Sequence, residues 1–357
     1  MKFGLAGGGT GGHTYPSLAV AERLRSDGAE LVYYGTKRGP ERQLAEAEGI
    51  DFHEVIASQV RGRSPWRLLS GTVNLARGVR QASRWLELDA PAAVFATGGY
   101  AAAPVGRAAR RKRIPVLLYV PDVRPGWAVR YLRRHVTAIA CSVGEKLRYL
   151  PGHEMVVTGY PVRRQFIEAT REEGIERFGL DPNVRTLLVT GGSLGAHHVN
   201  TMIARSLRDL LERAQIIHIS GRDEEHWLQR ERERLPDWQR ERYHLLPYTD
   251  QMAWAMAAAD LAVTRAGASI LGELPAVGLP AVVVPLGLAD QRQNADYLLQ
   301  HKAAVVLDNA AVDDLAQVVS RLLDDDAARE SMAEAMRSLA RPDAADRLAT
   351  MLREIVV

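Results

Sequence analysis

The sequence predicts an α/β fold with two Rossmann-like domains, each built on a parallel sheet, that face a shared interdomain cleft. Two glycine-rich turns carry this prediction. The first, Gly7–His13, follows the apolar run Phe3–Ala6 and precedes a helical pattern. The second, Gly191–Ala196, lies about half a chain later, again between an apolar run and a helical pattern. A strand, a tight turn and a helix start form an anion site, because backbone N–H groups converge there and the helix dipole favours negative charge.

The composition is that of an ordinary globular protein of about two domains. The 357 residues are 46% hydrophobic and 25% charged, as is usual for a folded water-soluble chain. The one cysteine, Cys141, excludes a disulfide framework, and its apolar neighbours predict a buried strand residue rather than a nucleophile. The chain enters a strand at once and has no apolar run of about 18 residues, so we expect a cytoplasmic protein without a signal peptide.

Charge is distributed unevenly along the chain. Residues 1–160 hold 23 of the 46 lysines and arginines but only 13 of the 43 acidic residues, which gives +10 in this half and −7 in the remainder. A basic first half predicts that this domain meets an anionic surface or ligand. The alternative is two solvated surfaces that differ in charge by chance.

Strand and helix patterns alternate through the first predicted domain, residues 1–160. The predicted strands are 2–6, 30–34, 92–97, 115–120, 136–141 and 155–158. The predicted helices lie near 15–27, 39–48, 66–86, 100–111 and 143–149. This alternation predicts a parallel sheet with helices on both faces, and it places ligands at the carboxyl ends of the strands.

The first turn also matches the dinucleotide fingerprint, as Gly7-x-Gly9-x-x-Gly12. A dinucleotide site needs an acid after the second strand for the ribose hydroxyls. This strand instead ends in Gly35-Thr36-Lys37-Arg38, whose two cations could hold a 2′-phosphate. An NADP-binding oxidoreductase therefore stays open as an alternative, although the second glycine turn has no place in it.

Two basic segments of the first domain predict contact with an anionic membrane. Residues 61–86 mix arginines with tryptophan, leucine and valine, and residues 107–113 hold a second cationic cluster. Aromatic and aliphatic groups beside arginines suit the surface of an anionic bilayer. The alternative is that the apolar residues pack on the sheet and the arginines are only solvated.

The second predicted domain, residues 161–340, repeats the alternation after a linker at 159–163. Its strands are predicted near 185–190, 215–219, 243–246, 260–264, 280–284 and 304–307, and residues 222–242 read as a pair of solvated helices. A final helix, 341–357, is expected to pack back on the first domain. Asp324-Asp325-Asp326 is interpreted as a helix terminus, and no Cys/His metal spacing or Walker A lysine is present.

Two further loops end strands of the second domain. The loop 264–269 starts a helix in which Glu273 lies, and the carboxylate there could accept hydrogen bonds from a ribose diol. The alternative for Glu273 is an ordinary exposed helix acid. The loop 285–291 supplies amide and carboxyl groups that could bind sugar hydroxyls.

Taken together, these motifs resemble the MurG family of GT-B glycosyltransferases, in matching order and over nearly the whole chain. The motifs are Gly8-Gly9-Thr10-Gly11-Gly12-His13, Gly98-Gly99-Tyr100, Gly159-Tyr160-Pro161-Val162-Arg163, Gly191-Gly192-Ser193-Leu194-Gly195-Ala196, Tyr248-Thr249-Asp250-Gln251-Met252, Arg265-Ala266-Gly267-Ala268, Glu273, Gly278-Leu279-Pro280, and Gln291 with Asn294-Ala295. The resemblance implies an inverting, metal-independent transfer of N-acetylglucosamine from UDP-GlcNAc to the C4 hydroxyl of a lipid-linked muramoyl-pentapeptide. It also implies a peripheral enzyme on the inner face of the cell membrane, with no nucleic-acid partner and no cofactor beyond the donor substrate.

The resemblance further implies roles for individual residues. His13 would be the general base or an orienting group, although a residue at a helix start can also simply cap the turn. The acceptor-side residues implied are Thr10, Gly11, Gly12, Gly99, Tyr100 and Asn294. The donor-binding residues implied are Arg163 at the nucleotide edge, Gly192, Ser193 and Gly195 at the diphosphate, the Thr249 backbone at the uracil, Gly267 and Ala268 at a third helix start, Glu273 at the ribose, and Asp290 with Gln291 at the GlcNAc hydroxyls.

One segment departs from the family pattern. The family usually carries a His-Glu-Gln-Asn run after the strand that ends here at Leu117-Leu118, where this chain has Tyr119-Val120-Pro121-Asp122. The run belongs to the acceptor side, so Asp122 becomes a candidate base or a partner that orients His13. Two alternatives with the same architecture stay open: transfer to a different lipid or sugar acceptor, and a UDP-GlcNAc epimerase.

Overall fold

The computed structural model describes residues 1–37, 39–57, 65–144, 154–191, 197–286, 289–308 and 314–356, with residues 65–70 and 289–290 described by their backbone only. The chain divides into two compact units. One is Met1–Arg163 together with Arg341–Val357, and the other is Arg164–Ala340.

The first unit is built on a parallel sheet whose described strands run in the order β3-β2-β1-β4-β5-β6-β7. These are β1 Lys2–Ala6, β2 Glu30–Gly35, β3 Asp51–Glu54, β4 Ala93–Ala96, β5 Val116–Val120, β6 Ala138–Cys141 and β7 Val156–Val157. The helices are α1 Gly11–Ser26, α2 Glu41–Ala47, α3 Pro65–Asp89, α4 Gly99–Arg111, α5 Trp127–Leu132 and, at the end of the chain, α17 Ala344–Glu354. The central strands are fully buried because helices cover both faces of the sheet.

Two apolar layers hold the first unit together. On one face of the sheet, Val79 and Leu86 of α3 pack with residues of α4 and α5. On the other face, Leu348 and Leu352 of α17 pack with residues of α1. The final helix of the chain is therefore part of the first unit, although some 180 residues separate it in sequence from the rest of that unit.

The second unit repeats this plan with described strands in the order β10-β9-β8-β11-β12-β13, all parallel. These are β8 Thr186–Thr190, β9 Gln215–Ile219, β10 Tyr243–Leu246, β11 Leu261–Thr264, β12 Ala281–Val283 and β13 Ala304–Val306. The helices are α6 Gln165–Glu168, α7 Arg171–Phe178, α8 His197–Arg205, α9 Leu207–Leu211, α10 Glu225–Glu233, α11 Asp237–Glu241, α12 Met252–Ala258, α13 Glu273–Val277, α14 Ala289–Gln300, α15 Asp314–Asp324 and α16 Asp326–Ser338. The predicted fold class, two α/β units on parallel sheets, is confirmed.

Several local expectations can be compared with the structure. The aspartates 324–326 stand at a helix junction, where Asp325 caps α16 through the backbone N–H of Ala328. Strand β3 and helix α5 were not predicted. The expected helix near 143–149 falls mostly outside the described residues. Among the helices that the structure describes, none combines the length and apolar character needed to cross a membrane.

Candidate active site

The first glycine turn, residues 7–10, connects β1 to α1 with a backbone that favours glycine. Gly8 and Gly9 have φ angles of +144° and +91°, which side-chain-bearing residues rarely adopt. At Gly7 the restriction is space, since a Cβ atom would stand 2.1 Å from Oγ1 of Thr97. The turn is therefore packed closely against the end of β4.

His13 lies in the first turn of α1, half-buried, and the turn after β4 fixes its ring. Its Nδ1 lies 2.8 Å from the carbonyl oxygen of Thr97, and Oγ1 of Thr97 donates back to the His13 carbonyl at 2.5 Å. A carbonyl can only accept, so Nδ1 carries the proton and Nε2 holds the lone pair of the neutral ring. This is the tautomer that a general base needs.

Another glycine turn of the first unit, formed by Gly98 and Gly99, packs on the turn at 7–10. It follows β4, and Gly98 and Gly99 have φ angles of +88° and +73°. A Cβ atom on Gly99 would stand 2.0 Å from the carbonyl oxygen of Gly8, and one on Gly9 would stand 3.1 Å from the ring of Tyr100. These contacts bring both turns together at the carboxyl edge of the first sheet.

The acceptor-side residues predicted in the first unit lie at this carboxyl edge of the first sheet. Gly11 and Gly12 begin α1, with Thr10 as the residue before it. The Thr10 carbonyl accepts from the His13 amide, and the Gly12 carbonyl accepts from the Tyr160 hydroxyl at 3.4 Å. The first unit thus assembles Thr10, Gly11, Gly12, His13, Gly99 and Tyr100 around two touching turns.

Asp122 follows β5, the strand next to β4, and is half-buried at the same edge of the sheet. The neighbouring segment is rigid. Tyr119 is fully buried and donates to the Gly159 carbonyl at 3.0 Å, while Ser142 donates to the Pro121 carbonyl at 2.7 Å. Burial raises the pKa of Tyr119 well above its ordinary value, with smaller contributions from Cys141 and Asp122.

Arg163 lies at the end of the first unit and contacts α1. Its guanidinium carbon stands 4.8 Å from the centre of the Tyr15 ring, a cation–π distance. Its predicted donor-binding role stays a prediction.

In the second unit, the loop after β11 packs against the end of β8. Nη1 of Arg265 donates to the Gly191 carbonyl at 3.2 Å, and burial lowers the pKa of this guanidinium. Gly192, Ser193 and Gly195 lie outside the described residues. A role for Arg265 next to the second glycine turn was not predicted, since the sequence marks only its motif.

The predicted ribose ligand, Glu273, is buried, with 8% of its surface exposed. It begins the short helix α13, after a 3₁₀ turn over Ala268–Leu271 that follows Gly267. The sequence instead predicted a continuous helix with Glu273 two turns inside it. The side chain is not the exposed helix acid of the alternative interpretation.

The polar side chains of α14 hold neighbouring loops. Oε1 of Gln291 accepts from the Leu286 amide at 3.0 Å. Asn294 is fully buried and donates to the Ala266 carbonyl at 3.0 Å. Asn294 was predicted on the acceptor side, but its described bond ties α14 to the loop of the second unit that carries Gly267. The side chain of Asp290 is outside the described residues.

The loop after β10 carries Thr249, whose hydroxyl accepts from the Gln251 amide at 3.0 Å. Tyr248 beside it is 48% exposed, and the guanidinium carbon of Arg222 stands 5.5 Å from its ring centre. An exposed aromatic ring under a cation offers a flat surface at the edge of the second sheet. No group of three or more His, Cys, Asp or Glu able to hold a metal occurs among the residues that the structure describes.

A basic surface lies on the first unit, where α4 ends beside α5. We define it as Arg107, Arg110, Arg111, Arg113 and Arg134. Burial, then the charges of Arg107 and Arg110, lower the pKa of His135, so the two helices bring these cations close together. On α3, by contrast, Val79 and Leu86 face the core while the arginines at 77, 80 and 84 are exposed.

Comparisons with known proteins identify the class. The model described as the glycosyltransferase family 28 N-terminal domain matches residues 3–141, and the one described as its C-terminal domain matches residues 186–348. Both glycine turns and all the described strands except β7 fall within or overlap these matches. The fold is therefore that of a two-domain GT-B glycosyltransferase.

Individual relatives narrow the class. A protein of Roseiflexus sp. named UDP-N-acetylglucosamine--N-acetylmuramyl-(pentapeptide) pyrophosphoryl-undecaprenol N-acetylglucosamine transferase is 42% identical over 100% of this chain and 95% of its own length. The Bacillus subtilis protein of the same name is 30% identical over 99% of both chains. The crystal structure of Acinetobacter baumannii MurG covers 99% of both chains with 26% identity and a TM-score of 0.75. The chain belongs to the MurG family within glycosyltransferase family 28, as the sequence predicted.

Proposed function

We propose that this enzyme transfers N-acetylglucosamine from UDP-GlcNAc to the C4 hydroxyl of a lipid-linked muramoyl-pentapeptide, with inversion at the anomeric carbon. The observation that carries the proposal is the match over the whole chain to relatives whose names state this transfer, at up to 42% identity among those compared here. The fixed tautomer of His13 supports it, because the acceptor hydroxyl must lose a proton as it attacks.

The reaction is a single displacement. Nε2 of His13 takes the proton of the acceptor hydroxyl, and the hydroxyl oxygen forms a bond to C1 of N-acetylglucosamine. The bond from C1 to the diphosphate oxygen breaks at the same time, so UDP leaves with the electron pair. Backbone N–H groups of the turn at 191–196 stabilise the negative charge that develops on the diphosphate.

The remaining roles follow the resemblance to the family. The Thr249 backbone reads the uracil, Glu273 holds the ribose diol, and Asp290 with Gln291 contacts the sugar hydroxyls. Gly267 and Ala268 form a third helix start at the donor. The position of Glu273 supports its role, because it is buried at the start of α13, directly after the loop and 3₁₀ turn that carry Gly267 and Ala268.

The acceptor is a diphosphate on a polyprenyl chain, and the enzyme meets it at the cytoplasmic face of the membrane. The basic surface of α4 and α5 supports this docking through attraction to anionic headgroups. Two aromatic rings lie beside it: Trp127, 41% exposed, stacks on Tyr131 with ring centres 5.4 Å apart. Aromatic rings beside cations suit the headgroup region of a bilayer.

An acceptor panel tests the proposed reaction. The purified enzyme is incubated with UDP-GlcNAc and, in turn, lipid-linked muramoyl-pentapeptide, other polyprenyl-linked sugars and soluble sugars, and UDP is measured together with product mass. We expect UDP formation above background with the muramoyl acceptor. UDP formed only with another acceptor would favour the alternative that Tyr119–Asp122 raises. Conversion of UDP-GlcNAc without any acceptor would indicate an epimerase.

A further inference from the structure

A buried carboxylate already occupies part of the first glycine turn. Glu41, the first residue of α2, is fully buried in the structure. Its Oε2 accepts from the Gly9 amide at 3.0 Å, and its Oε1 accepts from the amide and the hydroxyl of Thr36 at 2.8 and 2.5 Å. An amide of the turn that the sequence predicts to bind an anion thus donates to the chain's own anion.

In the part of the chain that the structure describes, hydrogen-bond donors compensate this charge. Among the described residues, no lysine or arginine pairs with Glu41. A carboxylate removed from water is costly unless donors satisfy its oxygens, and hydrogen bonds to an ionised acceptor are the strong ones. The two amides and the hydroxyl around Glu41 are those donors.

The surrounding glycines give Glu41 its space. A Cβ atom on Gly8 would stand 2.2 Å from Oε1, and one on Gly39 would stand 1.8 Å from Oε2. A Cβ atom on Gly35 would stand 2.7 Å from the Glu41 Cγ. The turn and the carboxylate therefore fit only because these three positions lack side chains.

A chain of contacts joins Glu41 to the candidate base. The carboxylate of Glu41 accepts from the Gly9 amide, and the neighbouring Gly8 packs against Gly99 in the turn after β4. The turn after β4 begins with Thr97, which is hydrogen-bonded to both the ring and the backbone carbonyl of His13. A displacement at Glu41 would reach the imidazole through packed backbone rather than through a flexible side chain.

We infer that Glu41 is a positioning residue: its carboxylate fixes the first glycine turn in the shape that presents His13, and it keeps the Gly9 amide from binding a phosphate. The inference rests on the proposed function only for the role of His13. The occupation of Gly9 by Glu41 concerns the first unit alone and can be measured without turnover.

Substitutions in helix α2 and just after strand β2 test the inference. Glu41→Gln keeps the shape but turns an amide group toward the donors, and Thr36→Val removes only the hydroxyl. The matched control is Glu46→Gln, an exposed acid of the same helix that pairs with Arg42. We expect Glu41→Gln to lower kcat about tenfold or more, Thr36→Val to lower it about threefold, and neither to change the KM for UDP-GlcNAc.

Chemical rescue distinguishes this role from general loss of fold. Glu41→Gly leaves a space lined by the donors of Gly9 and Thr36, into which formate can bind. We expect added formate to recover about a third or more of the lost kcat and to move the Gly9 amide resonance in glycine-labelled protein. In the wild-type enzyme, neither formate nor inorganic pyrophosphate should move that resonance.

The outcomes separate the inference from the proposed function. Wild-type kcat in Glu41→Gln, or a Gly9 resonance that pyrophosphate moves in the wild-type protein, would overturn the inference. An unfolded Glu41→Gly protein leaves Thr36→Val to decide it, since unchanged kcat there would also overturn it. If the wild type transfers no GlcNAc, the proposed function fails, and the resonance of Gly9 still tests whether Glu41 occupies the turn.

Discussion

At the scale of single residues, the candidate site depends on a few backbone contacts that set the chemistry of one imidazole. The Thr97 carbonyl fixes the tautomer of His13, and the next residue, Gly98, has a φ of +88° that favours glycine. The glycine turn and the histidine after it could be predicted from the sequence. The hydrogen bond to Thr97 could not, because the glycines at 98 and 99 mark a turn there but no local pattern pairs it with a histidine 84 positions away.

Replacing His13 by asparagine tests the general base. The asparagine amide can still donate to Thr97, as Nδ1 does, but it offers no basic nitrogen in place of Nε2. We expect kcat to fall about 10²- to 10⁴-fold, with little change in the KM for UDP-GlcNAc. The control is His226→Asn, an exposed histidine of α10. Equal kcat values for the two variants would show that His13 is not the base.

Asp122 can be tested by the same assay. If Asp122 orients His13 or shares its proton, Asp122→Asn should lower kcat about tenfold or more, because a neutral amide can neither take up a proton nor stabilise a positively charged imidazole ring. The pH dependence of kcat should change as well. Full turnover by Asp122→Asn with an unaltered pH profile would remove Asp122 from the mechanism.

A buried histidine of the second unit predicts how stability depends on pH. His218 lies between the Tyr243 hydroxyl at 2.7 Å and Oδ1 of Asn200 at 3.0 Å. Burial lowers its pKa to about 3. The unfolded chain therefore binds a proton from pH 6.5 downward and the folded protein does not, so stability is complete above that pH and is lost as the pH falls towards 3. This group contributes a slope of about 1.4 kcal/mol per pH unit in that window.

Urea unfolding at pH 7 and pH 5 measures this effect. We expect His218→Gln to be less stable at pH 7 by about 1–3 kcal/mol, because Asn200 and Tyr243 lose a partner. The variant should also lose less stability than the wild type on going to pH 5. The exposed His226→Gln serves as control, and parallel pH dependences of wild type and His218→Gln would contradict the account.

At the scale of helices and strands, prediction succeeded where apolar periodicity was strong. The strands β1, β4, β5, β8 and β11 are mostly apolar and mostly buried, and each was predicted. Strand β3 was missed because it lies at the sheet edge, where Asp51, His53 and Glu54 need not be buried. Glu41 was missed for another reason: α2 holds two glutamates, Glu41 and Glu46, and only the packing against glycines distinguishes Glu41.

Helix α4 allows a test of the membrane proposal. Arg110 and Arg111 are exposed at its end, so replacing both by glutamine removes charge without disturbing the core. Each cation near an anionic surface contributes about 1 kcal/mol, which predicts about 30-fold weaker binding for the pair. Co-sedimentation with vesicles of phosphatidylglycerol and phosphatidylcholine measures it. The matched control replaces the exposed Arg205 and Arg230 of the second unit, and equal binding of both variants would contradict docking by α4.

At the scale of the whole molecule, the same α/β architecture occurs in both units, with different functional side chains in each. Each unit is built on a parallel sheet, and the first unit places its glycine turns at the carboxyl edge of that sheet. In the first unit the turn carries His13 and is supported from within by Glu41. In the second unit, Arg265 follows β11, Glu273 begins α13 and Asn294 lies in α14. The fold alone does not decide the reaction, because one architecture can carry sites of different chemistry.

The linkage formed in the reaction tests the central proposal most directly. The enzyme is supplied with UDP-GlcNAc and lipid-linked muramoyl-pentapeptide, and the product is characterised by mass and by NMR of its glycosidic bond. We expect one UDP released for each N-acetylglucosamine gained, with a β-linkage to the C4 hydroxyl of the muramoyl sugar. An α-linkage, a different hydroxyl, or UDP release with no acceptor product would contradict direct displacement by a hydroxyl activated at His13.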